Sequence, residues 1–202
     1  METDIKFEYE LEGFGWAKAY LKIDDAEVTF PAISYLCYPI TDLLQGLLGI
    51  LEEWAIIANH GKEVEIINDE SVFMWEDEPG GYKWEFERYK ENQIRVIIRS
   101  LYYDENDEES FRKIVLDKIV DFKTFLTVIL KQIDNLVKEY GLLGFRANWL
   151  HSTESHMQFP VSHFLELKHY LLYGKMLYLN KEGTTEDWSL KEELELLNAE
   201  IK

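Results

Sequence analysis

The chain is short of cysteine: Cys37 stands alone in 202 residues, which excludes an internal disulfide framework and suits a reducing compartment. Its neighbours Leu36 and Tyr38 suggest a buried thiol, and no local basic residue activates it as a nucleophile. No apolar run reaches the roughly 18 residues that suggest a membrane-spanning helix. The richest, Leu43 to Ala58, is interrupted by Gln45, Glu52 and Glu53. The opening Met1-Glu2-Thr3-Asp4 is acidic and lacks the basic and apolar regions of a signal peptide. The expectation is a soluble, cytoplasmic protein. Basic residues are in deficit, 21 against 39 acidic, for a formal net charge of −18. That balance opposes binding to nucleic acid or to an anionic membrane. Two readings remain: a solubilising surface, or a surface matched to a basic partner that electrostatic attraction steers in.

What is plentiful is apolar and aromatic, at 47% and 14% of residues, ample for the packed core of one domain. The densest stretch runs from Ser71 to Tyr103 and reads as an aromatic-faced β-meander. With Glu78-Pro79-Gly80-Gly81 as the loop, Asp77 faces Tyr82, Trp75 faces Trp84 and Phe73 faces Phe86. Phe73, Trp75, Tyr82, Trp84 and Phe86 then share one side of the ribbon, because side chains alternate along a strand. The next turn, Lys90-Glu91-Asn92, ends on an asparagine that tolerates the left-handed conformation. It sets Trp84 opposite Ile98, Phe86 opposite Val96, Glu87 opposite Arg95 and Lys83 opposite Arg99. The rings read either as core or as an aromatic floor beneath a ligand groove.

Upstream, Ile5, Phe7, Tyr9 and Leu11 alternate with polar residues, Glu12-Gly13-Phe14-Gly15 turns the chain, and Trp16 to Ile23 returns. Pairing Ile23 with Ala26 places Leu21 opposite Val28 and Ala19 opposite Phe30, and Pro31 ends or edges that strand. Ser34 to Pro39 is a connector. A helix follows over Thr41–Asn59, with Gly61 as its cap, and Val64 to Ile67 is a further strand. Ile114 to Val120 fits a strand or a helix. A helix runs from Asp121, its N-cap, to Tyr140, stopped by Gly141, and an irregular stretch begins at Gly144–Trp149. Helices are also expected over Ser162–Tyr173 and, from the capping box of Ser189 and Glu192, over Ser189–Ile201.

Chemistry is sparsely signalled. No Walker-type loop, Gly-x-Gly-x-x-Gly, EF-hand loop or Gly-x-Ser-x-Gly elbow occurs. Four of the five histidines, His151, His156, His163 and His169, fall close in sequence, but their spacing does not converge three or four ligands on a metal. No metal, cofactor or catalytic residue is assigned. The binding candidates are acids: Asp104, Glu105, Asp107, Glu108 and Glu109 in one run, and Glu76, Asp77 and Glu78 beside the hairpin turn. The alternative is an enzyme or small-ligand pocket lined by Trp149, His151, His156 and Glu166.

Several stretches together resemble a group of uncharacterised bacterial cytoplasmic proteins. They are Gly15-Trp16-Ala17, Ser34-Tyr35-Leu36 leading to Pro39 and Asp42-Leu43-Leu44, Glu78-Pro79-Gly80 with Tyr82 and Trp84, and Gly141, Gly144-Phe145, Trp149 and Phe159-Pro160. The match spans roughly residues 5 to 175. Such groups are similar to the small acidic immunity proteins found beside bacterial polymorphic or contact-dependent toxins. The resemblance implies a non-enzymatic inhibitor of a basic toxin.

The expected fold is α+β: one antiparallel sheet of roughly six to eight strands, with the Thr41–Asn59 and Asp121–Tyr140 helices on one face and the C-terminal helices peripheral. Residues 1–180 form a single domain and 181–202 a helical appendage, through which a homo-oligomer is an expected alternative.

Overall fold

Alternation of apolar and polar residues yields three strands at the start of the chain: β1 Ile5–Gly13, β2 Trp16–Ile23 and β3 Ala26–Ile33. The computed structural model describes residues 3–60, 71–90, 92–101, 113–149, 157–176 and 189–202, apart from the side chains of 53–60. Ile23 pairs with Ala26, Leu21 with Val28 and Ala19 with Phe30, as the alternation requires. The strand continues past Pro31 to Ile33. Pro31 is tolerated because β3 is the outer strand of its sheet, where a missing N–H need not break a ladder bond.

The aromatic stretch forms β4 Val72–Asp77, β5 Gly80–Lys90 and β6 Gln93–Leu101, and Ile114–Val120 resolves as a fourth strand, β7 Lys113–Asp121. The second hairpin has the expected register, with Asn92 at φ 61°. A bulge between Arg88 and Lys90 lets Lys90 pair with Gln93. The first hairpin differs by two residues. Asp77 pairs with Gly80, Trp75 with Tyr82 and Phe73 with Trp84, around a cis Glu78–Pro79 peptide. Gly81 is thus a strand residue and not a loop residue. A Cβ there would lie 2.7 Å from the Trp75 carbonyl oxygen, so the glycine serves a close strand approach. A two-residue slip preserves parity, and the rings keep their common face.

The larger correction concerns the sheets. The strands form two antiparallel sheets, β1-β2-β3 and β4-β5-β6-β7, not one. Phe30 of β3 joins their inner faces, with ring centroids 4.8 Å from Tyr82, 5.0 Å from Trp75 and 5.3 Å from Trp84. Phe73 stacks on the other side of Trp84 at 5.7 Å. Helix α1, Pro39–His60, reaches this face at Gly46, where a Cβ would stand 3.0 Å from Phe73 and 3.1 Å from Phe86. Helix α2, Phe122–Asn148, reaches it through Phe125, 6.0 Å from Phe86. Both long helices therefore cover the face expected of them. Trp75 and Trp84 are wholly buried, so these rings are core and not an open ligand floor. Each fully buried large apolar side chain contributes roughly 1.5–3 kcal/mol.

The Asp121 carboxylate caps α2 by accepting from the Thr124 N–H at 2.8 Å. Gly141, at φ 65° and ψ 172°, kinks the helix, but the chain re-enters helical geometry as far as Asn148. The expected stop is therefore a kink, and most of Gly144–Trp149 is helical. Helices α3, Val161–Tyr173, and α4, Leu190–Asn198, complete the chain, the latter with both halves of the Ser189–Glu192 capping box. Helix α4 ends at Asn198, short of Ile201. The expected Gly61 cap and Val64–Ile67 strand lie outside the described residues.

Candidate binding surface

The connector between β3 and α1 is bolted to β4 by three hydrogen bonds and braced by others of its own. Ser34 N–H donates to the Glu76 carbonyl (2.8 Å), and Glu76 N–H donates to Cys37 Sγ (3.3 Å). Leu36 N–H donates to Ser34 Oγ (3.1 Å), Cys37 Sγ donates to the Ser34 carbonyl (3.4 Å), and Trp75 Nε1 donates to the Pro39 carbonyl (3.1 Å). Ser34 and Cys37 point inward, while Leu36 and Tyr38 project into solvent, 59% and 58% exposed. Burial pushes the Cys37 thiol up to about 12, which removes it from nucleophilic chemistry at neutral pH.

This fastening brings four carboxylates to one end of the molecule. Asp42 lies in the first turn of α1, and Glu76, Asp77 and Glu78 run from the end of β4 into its turn. Loss of hydration raises Asp42 to about 6, against an opposing hydrogen bond with the Tyr38 backbone. Asp77 is also raised by desolvation. Among the described residues, no lysine or arginine pairs with any of the four.

Carboxylates on the outer faces of the two sheets are answered by cations. On the outer face of β1–β3, Lys6 meets Glu8 at 2.7 Å and Lys18 meets Glu10 at 2.8 Å. On the outer face of β4–β7, Arg95 grips Asp117 through two nitrogens at 2.7 and 2.8 Å, and Arg99 meets Glu85 at 3.1 Å. Beneath these pairs Ile97 is buried, although its side chain belongs to the outer face.

Of the sequence-derived candidates, Glu76, Asp77 and Glu78 come together here, with Glu78 exposed and the other two half-buried. Asp104, Glu105, Asp107, Glu108 and Glu109 lie outside the described residues, as do His151 and His156. Trp149 is buried against Phe145 at 6.3 Å between ring centroids, and Glu166 is half-buried on α3. His169 Nδ1 lies 2.9 Å from the Lys175 carbonyl oxygen. Among the described residues no three metal-ligating side chains converge, and no helix is long and apolar enough to cross a membrane.

Sequence reasoning passed over Asp42 and Phe14. A lone acid in a helix's first turn reads as a dipole partner, and one ring between two glycines has no periodicity. The Gly13-Phe14-Gly15 triplet was the available signal, since a bulky residue rarely belongs where only glycine is at ease. Comparison of the chain with protein-family models, with curated proteins and with solved structures gives no match in any of the three.

Proposed function

We propose that the protein is a non-enzymatic acidic binding protein that engages a basic partner at the head of α1, and that it serves as an immunity-type inhibitor of a basic bacterial toxin. The observation that carries this reading is the contrast in pairing. Acids on both sheet faces have cations within reach, whereas Asp42, Glu76, Asp77 and Glu78 have none among the described residues. Asp42 and Asp77 also sit where their charge is poorly hydrated. A cation delivered by a partner relieves that cost, and the net charge of −18 speeds the encounter. The acidic run Asp104–Glu109 adds charge of the same sign. The toxin enters through the resemblance to immunity proteins.

The test is co-expression with the toxin domain encoded by the neighbouring reading frame. Protection of the host and a salt-sensitive complex are expected. The triple change Glu76→Gln, Asp77→Asn, Glu78→Gln should weaken the complex at least about tenfold. No protection and no complex would sink the proposal.

A second reading, self-association through α4, draws on Leu190 and Leu194, which stand in solvent on that helix. Sedimentation of Leu190→Ser/Leu194→Ser tests it, because an unchanged mass rejects it.

A further inference from the structure

The β1–β2 turn holds three consecutive residues at positive φ: Gly13 at 83°, Phe14 at 54° and Gly15 at 84°. Glycine adopts this conformation freely, but a phenylalanine does not. Burial does not compensate, because Phe14 is 80% exposed, among the most exposed large apolar side chains described. Neither local backbone preference nor the core accounts for an aromatic ring at this position. Strain kept without a packing return is a mark of function.

The turn is held firmly. Gly15 N–H donates to the Asn148 carbonyl at 2.9 Å, and a Cβ on Gly15 would strike the Cβ of Tyr35 at 2.8 Å. Tyr35 meets the edge of the Trp16 ring at 6.2 Å. The residue after Tyr35 is the exposed Leu36, and Tyr38 lies two further on. The Phe14 turn and the Leu36–Tyr38 connector are thus adjoining loops, each fixed to the core from beneath. Glu76, whose backbone fastens the connector, leads directly into Asp77 and Glu78.

We infer that Phe14, Leu36 and Tyr38 are the apolar anchor of a docking surface for a basic protein, with Asp42, Asp77 and Glu78 as its acidic rim. This rests on the proposed function and specifies where affinity is generated. Stable interfaces concentrate binding energy in a few rigid aromatic or large apolar residues ringed by polar groups. The anchors need little ordering on binding, because hydrogen bonds and core packing already hold their backbones. Charge complementarity selects the occupant: carboxylates with no cation among the described residues, beside the anchor, favour lysine or arginine flanking an apolar pocket, and disfavour a second copy of this acidic chain.

The probe is a phage-displayed library of random twelve-residue peptides selected on the full-length protein, with binding of synthesised winners measured by calorimetry. Winners are expected to combine lysine or arginine with a large apolar residue. They should bind Phe14→Asn at least about tenfold more weakly, as should Leu36→Ser/Tyr38→Ser. The surface control Leu143→Ser should bind as wild type. Because asparagine accepts positive φ, Phe14→Asn should also raise Tm by about 1–3 °C, so binding is lost while the fold gains. Basic winners that ignore Phe14, Leu36 and Tyr38 but weaken on Glu76→Gln, Asp77→Asn, Glu78→Gln would overturn the anchor and leave the acidic binding reading standing. Winners with no basic bias, or no winners, would overturn both.

Discussion

Lys168 of α3 places its Nζ 2.7 Å from Asp134 Oδ1 of α2, with both side chains withdrawn from solvent. The same ammonium donates to the Leu197 carbonyl of α4 at 2.9 Å, and Lys138 meets the other Asp134 oxygen at 2.7 Å. One cation thereby ties three helices. Lys168→Met should cost about 3 kcal/mol, since it strips a buried carboxylate of one partner and leaves a carbonyl unanswered. The double variant Lys168→Met/Asp134→Leu should regain most of that loss. Urea midpoints decide the matter, and a single variant within about 0.5 kcal/mol of wild type would contradict it.

Stability should depend on pH through Asp42. Its folded carboxyl titrates at about 6 against an ordinary 3.8, so the folded state holds the proton more tightly than the unfolded chain. The contribution is full below about pH 4, falls as pH rises toward 6, and stays lost above. Undiscounted, the displacement is worth about 3 kcal/mol, and solvent access to Asp42 reduces that to about 1 kcal/mol. Asp42→Asn cannot ionise. It should be more stable than wild type at pH 7.5, with the gap closing near pH 4. Denaturation midpoints that run parallel across that range would refute the assignment.

The close strand approach at Gly81 makes a third prediction. Gly81→Ala places a methyl 2.7 Å from the Trp75 carbonyl oxygen, which belongs to a paired backbone and cannot swing aside. A loss of about 1–3 kcal/mol is expected from such crowding. Gly144→Ala is the control, because its nearest neighbour would be Tyr140 Cβ at an ordinary 3.4 Å. Equal thermal stability of the two variants would count against the strand placement of Gly81.

Parity was the robust part of the sequence. Phe73, Trp75, Tyr82, Trp84 and Phe86 share a face whether the hairpin loop has four residues or two, so the core was legible while the register was not. Pro79-Gly80-Gly81 favours more than one turn, and only the contact between Gly81 and Trp75 distinguishes them. The division into two sheets depends on Phe30 packing across layers, and strand alternation carries no information about layers. Lys168 was invisible for a related reason: its partner lies 34 residues away on another helix. At the candidate surface, Glu76–Glu78 announced themselves as charge beside a turn. Asp42 and Phe14 did not, because only the folding of the connector onto β4 gives them neighbours.

The ring stack at the sheet junction has an optical consequence. Phe30, Trp84 and Phe73 lie nearly parallel, with interplanar angles of 17° and 14°, and Trp75 is 4.7 Å from Trp84. Indole transitions this close couple and rotate polarised light far more strongly than isolated rings. The two indoles also differ: the Trp75 N–H is hydrogen-bonded to Pro39, whereas Trp84 Nε1 has no acceptor among the described residues. Near-ultraviolet circular dichroism therefore reports on the β4–β5 hairpin that carries both indoles, and on the seam between the sheets only through Phe30. The indole couplet should survive a parting of the sheets that leaves each ladder whole, and be lost when β4 and β5 separate.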